Sequence, residues 1–568
     1  MTAVGIDFGT TNSVVAVRTS AGVDVLPIDK APAKWAPYGF DNVFPSVMAR
    51  DEDSRLCFGW DAKQRSSGRF DAVKRMFATQ LDVATDDAGS ALAVDEVATM
   101  LFAELKRRAL GCGFDATQAV VTVPANSKGL ARLRTKSCAA MAGFEVLALI
   151  NEPTAAAMAY ARKHPESRQL LVFDWGGGTL DVTILQSVDG TFIEQASSGL
   201  QRSGGIDFDS RLEKIVRETT PGLESLSVDA RHLLRTEVEL AKIRLSSADA
   251  TSVELPNGGE FRITRTRFEQ EVTGLLEEAR IPLQRCLSDL QIGPGSIDSV
   301  VLVGGTCKIP AVRRFVESAL RAEIDPDINP MTAVGEGAAI AASILTGEFT
   351  DADFFVCLEH ALGTWVLDPT TGGLRFSTII RKGNKLPAKA TEPFLPVSAE
   401  SDSVNVAVVE GDPDSTRPDY TVLKDWKVNL PSTYSEGSNR AFELTYEYDV
   451  NGILRVRATD SESGSVLLDD DISFGISSDK KRLKLIADRS KTAVAEGKMS
   501  KDAEIVLQDS EAAKLIEQAR VKVIPFLDHA EAVPVIAAVE AVESNDAATF
   551  EAAKSQLRKV MQPYSYLF

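Results

Sequence analysis

The sequence predicts a multidomain protein in which an α/β part is followed by an all-β module and then by helices. Three observations carry that prediction. Residues 1–347 alternate apolar strand-like runs, such as "AVVTVPA" and "SVVLVGG", with helical runs over Val94–Leu110, Pro153–Lys163 and Ala230–Leu245. Past residue 361 the period drops to two in "VNVAVVEGD", "FELTYEYDVNGILRVRATD" and "DDDISFGIS", and "DVNGIL" carries the Asn-Gly signal of a tight hairpin. From about Ser478 the pattern turns helical again. Leu515, Ile516, Ala519 and Val523 share one face, and Phe550, Ala553, Leu557 and Val560 another, with Asn545 as a cap. The expected domains are therefore 1–347, a linker over 348–361, 362–477 and 478–568; 568 residues are too many for one hydrophobic core.

Composition narrows the function classes. The chain carries 81 Asp+Glu against 62 Lys+Arg, a net charge of −19, which speaks against a domain that holds nucleic acid by neutralising phosphates. Six cysteines at 57, 112, 138, 286, 307 and 357 form no CxxC pair, so neither a zinc site nor a disulfide framework is expected. Four histidines, none paired at ligand spacing, do not suggest a transition-metal enzyme. No secretory leader is visible, and the longest apolar stretch, "AVPVIAAVEAV", is too short and interrupted to span a bilayer. The expected compartment is a reducing cytosol, with no membrane partner.

The chain contains one arrangement twice, in "VGIDFGTTNSVVAV" and "LLVFDWGGGTLDVTIL". Each time an apolar run meets Asp, then a Gly/Thr-rich turn, then a second apolar run. Hairpins at both places make the sheets mixed rather than purely parallel. The turns expose successive backbone N–H groups that can cradle phosphate oxygens. Gly9, Gly176, Gly177 and Gly178 let the main chain approach a ligand, and Thr10, Thr11 and Thr179 add hydroxyls. Asp7, Asp174 and Asp181 suit hydrated Mg2+, which takes a few carboxylates together with waters and phosphates. One such turn alone is equally well a glycine hairpin; two related turns, each preceded by Asp, favour a clamp closing on a polyphosphate from both sides. A third glycine turn, "VLVGGTCKIP", can admit the flat base or ribose of a nucleotide. In "EVELAKIRLSS", Glu239, Lys242 and Ser246 fall on one helical face, which taken alone fits a solvated charged face better than a site.

These segments, with "VKR" at Val73–Arg75, "INEPTAAAMAY", "SGGIDFD", "INPMTAVGEGAA" and "TIIRKGNKLP", resemble the DnaK-type 70-kDa heat-shock chaperones, strongly over all but the helical tail. The resemblance implies a two-lobed actin-like, ribonuclease H-like α/β ATPase domain, a β-sandwich that binds peptide and a short α-helical lid. It implies ATP and ADP as nucleotides, Mg2+ with K+ as a further candidate, and unfolded or extended peptide segments as ligands. A J-domain protein and a nucleotide-exchange factor are the partners it suggests. By motif match, Lys74 reaches the γ-phosphate, where its charge stabilises developing negative charge. Glu152 organises the metal's waters, Asp174 orients the attacking water, and Thr179 lies near the γ-phosphate. Gly204, Gly205, Glu239, Lys242 and Ser246 match ribose and adenine contacts; Gly304, Gly305, Thr306 and Lys308 match the opposite wall, and Asn12 belongs to the first phosphate turn. Pro124 and Arg132 match coupling positions, and Phe394, Val397, Val404 and Val406 match the peptide groove, although Val404 and Val406 also read as core.

Departures from the family pattern set further expectations. Lys308 stands where Arg is usual and lacks a guanidinium plane to stack on a base, so weaker nucleotide affinity is expected. Met331 replaces the usual Asp after "NP", and Asn126-Ser127-Lys128-Gly129 replaces an aromatic-rich continuation of "VPA". The stretch between Lys74 and Pro124 is short, and no small hairpin is expected there. In the linker, Phe354-Phe355-Val356-Cys357-Leu358 is apolar but lacks the family's acid; it is expected to dock as a strand on the ATPase domain in one nucleotide state. The short tail resembles that of specialised short-lid bacterial members, and implies fast peptide release in ADP with modest acceleration by ATP. The rival readings are a nucleotide-sensing regulator holding one partner, and an ATPase of the actin or sugar-kinase kind.

Overall fold

The computed structural model describes residues 2–51, 53–77, 83–85, 91–127, 129–166, 168–188, 191–223, 225–322, 324, 328–348, 353–354, 358, 360–398, 401–411, 413, 420–431, 440–449, 453–472 and 480–499, and then 515, 519, 523, 534–539 and 550–562. The repeated motif builds two sheets of one design. In the first, Thr2–Phe8 pairs antiparallel with its hairpin partner Asn12–Thr19 and parallel with Ala116–Val123, which pairs parallel with Glu145–Asn151. In the second, Gln169–Trp175 pairs antiparallel with Leu180–Val188 and parallel with Ser299–Val303. Each quoted Asp, Asp7 and Asp174, thus stands next to last in a strand with sheet on both sides. Such strands are covered on both faces and read as continuous apolar runs; Leu170 to Phe173 are fully buried.

Two helices lie between these sheets, Glu152–Ala161 and Ala333–Leu345. The first opens with Pro153, whose missing N–H costs nothing in an initial turn. They meet through small residues: a Cβ on Gly337 would lie 1.7 Å from the Ala155 carbonyl oxygen, so a larger side chain there would force the helices apart.

The β module forms as its alternation predicts. Two four-stranded antiparallel sheets, one containing Ala361–Leu367 and Ser403–Gly411, the other Phe442–Tyr448 and Leu454–Asp460, enclose one core with Ile380, Val408, Leu444, Tyr446 and Val456. The Tyr446 hydroxyl donates to the Gly363 carbonyl 3.0 Å away and so ties one sheet to the other.

Among the described residues, several contacts join the parts of the chain. Asp353–Phe354 adds as a parallel strand beside Thr191–Leu200, as expected of a docking linker. Glu410 accepts from the Gly129 amide at the start of the helix Gly129–Met141, at 3.3 Å, a favourable place for a carboxylate. The helix Lys480–Glu496 lies against the helix Val94–Gly111, with Ile486, Ala493 and Val494 inside the core that packs on the first sheet. Arg489 meets the buried Glu96 at 3.2 Å, and Met499 continues the contact by donating to the Ser54 carbonyl at 2.8 Å.

One expectation is overturned. A small hairpin does stand between Lys74 and Pro124: Val83–Thr85 pairs antiparallel with Ala91–Ala93. Three residues per strand suffice, because Leu92 and Ala84 are buried in the same core and tertiary packing replaces length. In the tail, Leu515, Ala519, Val523, Leu557 and Val560 share one small core, as their spacing predicts. Ile516, Asn545 and the side chains of Phe550 and Ala553 lie outside the described residues, as do Lys128 and the linker residues Phe355, Val356 and Cys357. Among the described residues no helix is long and apolar enough to cross a membrane.

Candidate active site

The two Asp-containing turns face each other. A Cβ on Gly177 would lie 2.4 Å from Thr11 Oγ1, and one on Gly178 2.6 Å from Thr10 Oγ1, so only glycine lets the turns approach this closely. Gly304 closes the third turn at φ +84, where a Cβ would sit 2.4 Å from the Trp175 carbonyl oxygen.

Between the turns lies a cavity of about 80 Å³ bounded by Asp7, Gly9, Thr10, Lys74, Pro124, Glu152, Asp174, Gly176, Gly178, Thr179 and Gly304. It continues, through Thr11, Asn12, Gly177, Gly305 and Met331, into a larger cavity of about 380 Å³. Gly205, Glu239, Lys242, Ser246, Thr306 and Lys308 line the larger one. The helical face of "EVELAKIRLSS" thus lines a cavity rather than lying open to solvent. Gly204 sits behind the wall with its backbone against Gly177. Asp181 lies opposite Asp174 across the hairpin and accepts from the Asn126 amide at 3.3 Å. Arg132 is not in the cleft: it donates to Asn151 Oδ1 at 2.8 Å, one residue before Glu152.

The electrostatics are those of an anion-rich, desolvated pocket. Lys74 Nζ lies 2.6 Å from Glu152 Oε1, both side chains about nine-tenths buried. Burial, followed by repulsion from Glu152, pushes Asp7 up to about 7, against the opposing pull of Lys74 and of a hydrogen bond from Thr122. Burial and then Glu152 also push Asp181 up to about 7, while the Asn126 amide, the Thr179 hydroxyl and Lys74 oppose the rise. Asp174 is raised well above the carboxylate range by burial, then by Glu152, Asp181 and Asp7. Crowded buried carboxylates of this kind fit a bound cation, which would relieve the repulsion. Among the described residues no three His, Cys, Asp or Glu side chains are grouped to hold a metal by themselves.

A testable consequence follows from the sign of these shifts. An aspartate whose folded pKa is raised binds its proton more tightly folded than unfolded. Its burial therefore costs stability as pH rises from 3.8 toward about 7. Mg2+ with nucleotide removes that cost, so the rise in melting temperature on adding both should be larger at pH 8 than at pH 5.5. Calorimetry at the two pH values checks this; an equal rise contradicts the charge assignment.

Several site residues gave little or no sequence signal. Arg75, which looks like a surface cation beside Lys74, spans the cleft, donating to the Gly178 carbonyl at 2.8 Å and to Asp207 at 2.7 Å. Asn151 donates to both oxygens of buried Glu194, at 3.1 and 2.9 Å, and Thr154 donates to the same carboxylate. Lys63 pairs with Glu239 at 2.8 Å and Asp209 with Lys242 at 2.8 Å.

The groove positions separate by burial. Val397 is 80% exposed, Phe394 and Val404 are half-buried at the edge of the sandwich core, and Val406 is 1% exposed inside it. Val406 therefore packs the two sheets together and presents no open face to a ligand.

Comparison with known proteins agrees with this geometry. A family model described as Hsp70 protein matches residues 70–566. Chaperone protein DnaK of Thermotoga neapolitana is 33% identical over 482 residues, which is 81% of this chain and 78% of that protein. With a match of that extent and a phosphate-sized cleft opening into a base-sized one, the chain belongs to the Hsp70 family and is an ATP-hydrolysing, ATP-dependent chaperone.

Proposed function

We propose that residues 1–347 form a two-lobed, actin-like ATPase domain that controls a peptide-binding sandwich over 362–477, through the 348–361 linker and the lid helices of 478–568. The observation that carries this reading is the pair of facing turns, Thr11 against Gly177 and Thr10 against Gly178, with buried carboxylates behind them. Backbone amides of the turns hold the phosphates. Lys74 stabilises charge developing at the terminal phosphate, and Asp174 holds the attacking water and takes its proton. Thr179 fixes the Asp181 carboxylate, and Glu152 holds Lys74 in position. Bound Mg2+ would supply charge neutralisation through water and phosphate oxygens, held on the side of Asp7, Asp174 and Asp181. K+ is a further candidate cation.

Pro124 lines the phosphate pocket, and Arg132 joins Asn151, beside Glu152, to the face on which the sandwich docks. That path offers a route for nucleotide state to reach the β module. Phe394, Val397 and Val404 provide an apolar edge for an extended peptide segment, bound through main-chain hydrogen bonds. A J-domain protein and an exchange factor are candidate partners, and the cytosol the candidate compartment. The filament, sugar-kinase and single-partner readings have no observation in their favour.

Titration with ATP and a turnover assay, each with Mg2+ and with EDTA, test the site. Hydrolysis should need Mg2+ and vanish on chelation. Unchanged turnover in EDTA would contradict the phosphate-clamp reading. Capture of unfolded clients in ADP and their release in ATP tests the chaperone half.

A further inference from the structure

We propose that residues 29–43 form an outer wall of the base pocket, with Tyr38 and Phe40 covering a purine base. The proposal rests on the ATPase reading and adds to it the residues that hold the base.

The segment "KAPAKWAPYGF" contains three aromatic residues and three prolines or glycines of no obvious use in a strand or helix. It leaves the first lobe and reaches the larger cavity, where Pro37, Tyr38 and Phe40 form part of the lining, opposite Ile243, Ser246 and Lys308. It is a packed element: Trp35 is 4% exposed, Phe40 5% and Trp60 2%. Their rings form a closed triad with centroids 5.1 Å apart for Trp35 and Trp60, 5.6 Å for Trp35 and Phe40, and 5.9 Å for Phe40 and Trp60. Leu240 from the other lobe and Met331 are buried in the same cluster.

Polar contacts hold the wall to the far lobe at separate points. Lys63 Nζ lies 4.7 Å over the Trp35 ring and 2.8 Å from Glu239, so one cation serves the triad and the helix behind the base pocket. Lys34 reaches Glu237 at 3.2 Å and Glu254 at 3.3 Å. Lys308 donates to the Tyr38 carbonyl at 3.1 Å. The lysine that cannot stack on a base thus tethers the segment that can offer a ring. The two departures noted in the sequence, Lys308 and Met331, both touch this wall. An apolar aromatic surface is what a purine face needs once the guanidinium plane is gone.

The test compares a ligand that has a base with one that has none, using the full chain. ADP and inorganic pyrophosphate are titrated into the wild type, Tyr38→Ala and Tyr38→Phe, and release of a fluorescent ADP is followed by stopped flow. Tyr38 is only half-buried, so its truncation leaves the aromatic triad in place, and Tyr38→Phe restores the ring. The expected result is that Tyr38→Ala binds ADP about tenfold more weakly and releases it about tenfold faster. Pyrophosphate affinity stays the same, and Tyr38→Phe behaves as wild type. Unchanged ADP binding in Tyr38→Ala overturns the proposal, and so does an equal loss for ADP and pyrophosphate, which would mark a general disturbance of the cleft. If the wild type binds pyrophosphate but shows no preference for ADP, the base wall fails while the phosphate clamp stands. If it binds neither, the ATPase reading fails and the proposal with it.

Discussion

Replacing Lys74 with alanine is expected to slow single-turnover ATP hydrolysis at least tenfold, about 1.4 kcal/mol of barrier, while ATP still binds. Lys74 opposes the rise that burial and Glu152 impose on the pKa of Asp7, Asp174 and Asp181, and it lies 2.6 Å from Glu152. Without it the carboxylates lose their shared counter-charge, and the terminal phosphate loses a donor that strengthens as charge develops. Binding survives because the turn amides and the base pocket are untouched. Asp174→Ala should cost turnover by at least a similar factor. Asp174→Asn separates catalysis from stability: it removes one of two carboxylates facing each other across the hairpin, so turnover should fall while the ligand-free melting temperature rises. Rapid-quench measurement of bound ATP hydrolysis, with calorimetry on the same proteins, decides this. Wild-type turnover in either the Lys74 or the Asp174 variant removes that residue from the chemistry.

Charge reversal of Arg489 should release the docked helix Lys480–Glu496 from the helix Val94–Gly111. Glu96, its partner, is 2% exposed, and Arg489 is the side chain brought to it from the docked helix, at 3.2 Å. Arg489→Glu sets two carboxylates against each other in a site with little water. Breaking a buried pair typically costs about 3–5 kcal/mol, and even the lower figure shifts a docking equilibrium more than a hundredfold. Ile486 and Val494 would then leave the core that packs on the first sheet and meet solvent. A pair of labels, one on this helix and one on Val94–Gly111, should report wide separation for Arg489→Glu where the wild type reports contact. Contact retained in the variant would mean that the apolar packing alone holds the helix.

Much of this protein was legible in its sequence, because the relevant signals are local. A strand run ending in Asp-x-Gly predicts where a carboxylate stands relative to a turn. Helical periodicity puts Glu239, Lys242 and Ser246 on one face, and period-2 alternation separates Val456 from Arg455 and Arg457, inward from outward. These follow from the repeat of the backbone, and the structure keeps them. The tertiary structure decided which distant groups meet. That Lys74 pairs with Glu152 and Arg75 with Asp207, that Thr11 touches Gly177, and that Trp35, Phe40 and Trp60 close on Leu240, depends on how two lobes are set against each other. No periodicity within one segment carries that information. Packing also overrode one local reading. Val83–Thr85 and Ala91–Ala93 form a hairpin too short to stand alone because the core covers it. Val406 lies in the sandwich core, as its local reading has it and against its motif match to the groove, because its side of the strand faces the second sheet. Local periodicity assigns a side chain to a face; the energy gained by burying that face against another part of the chain determines what it touches.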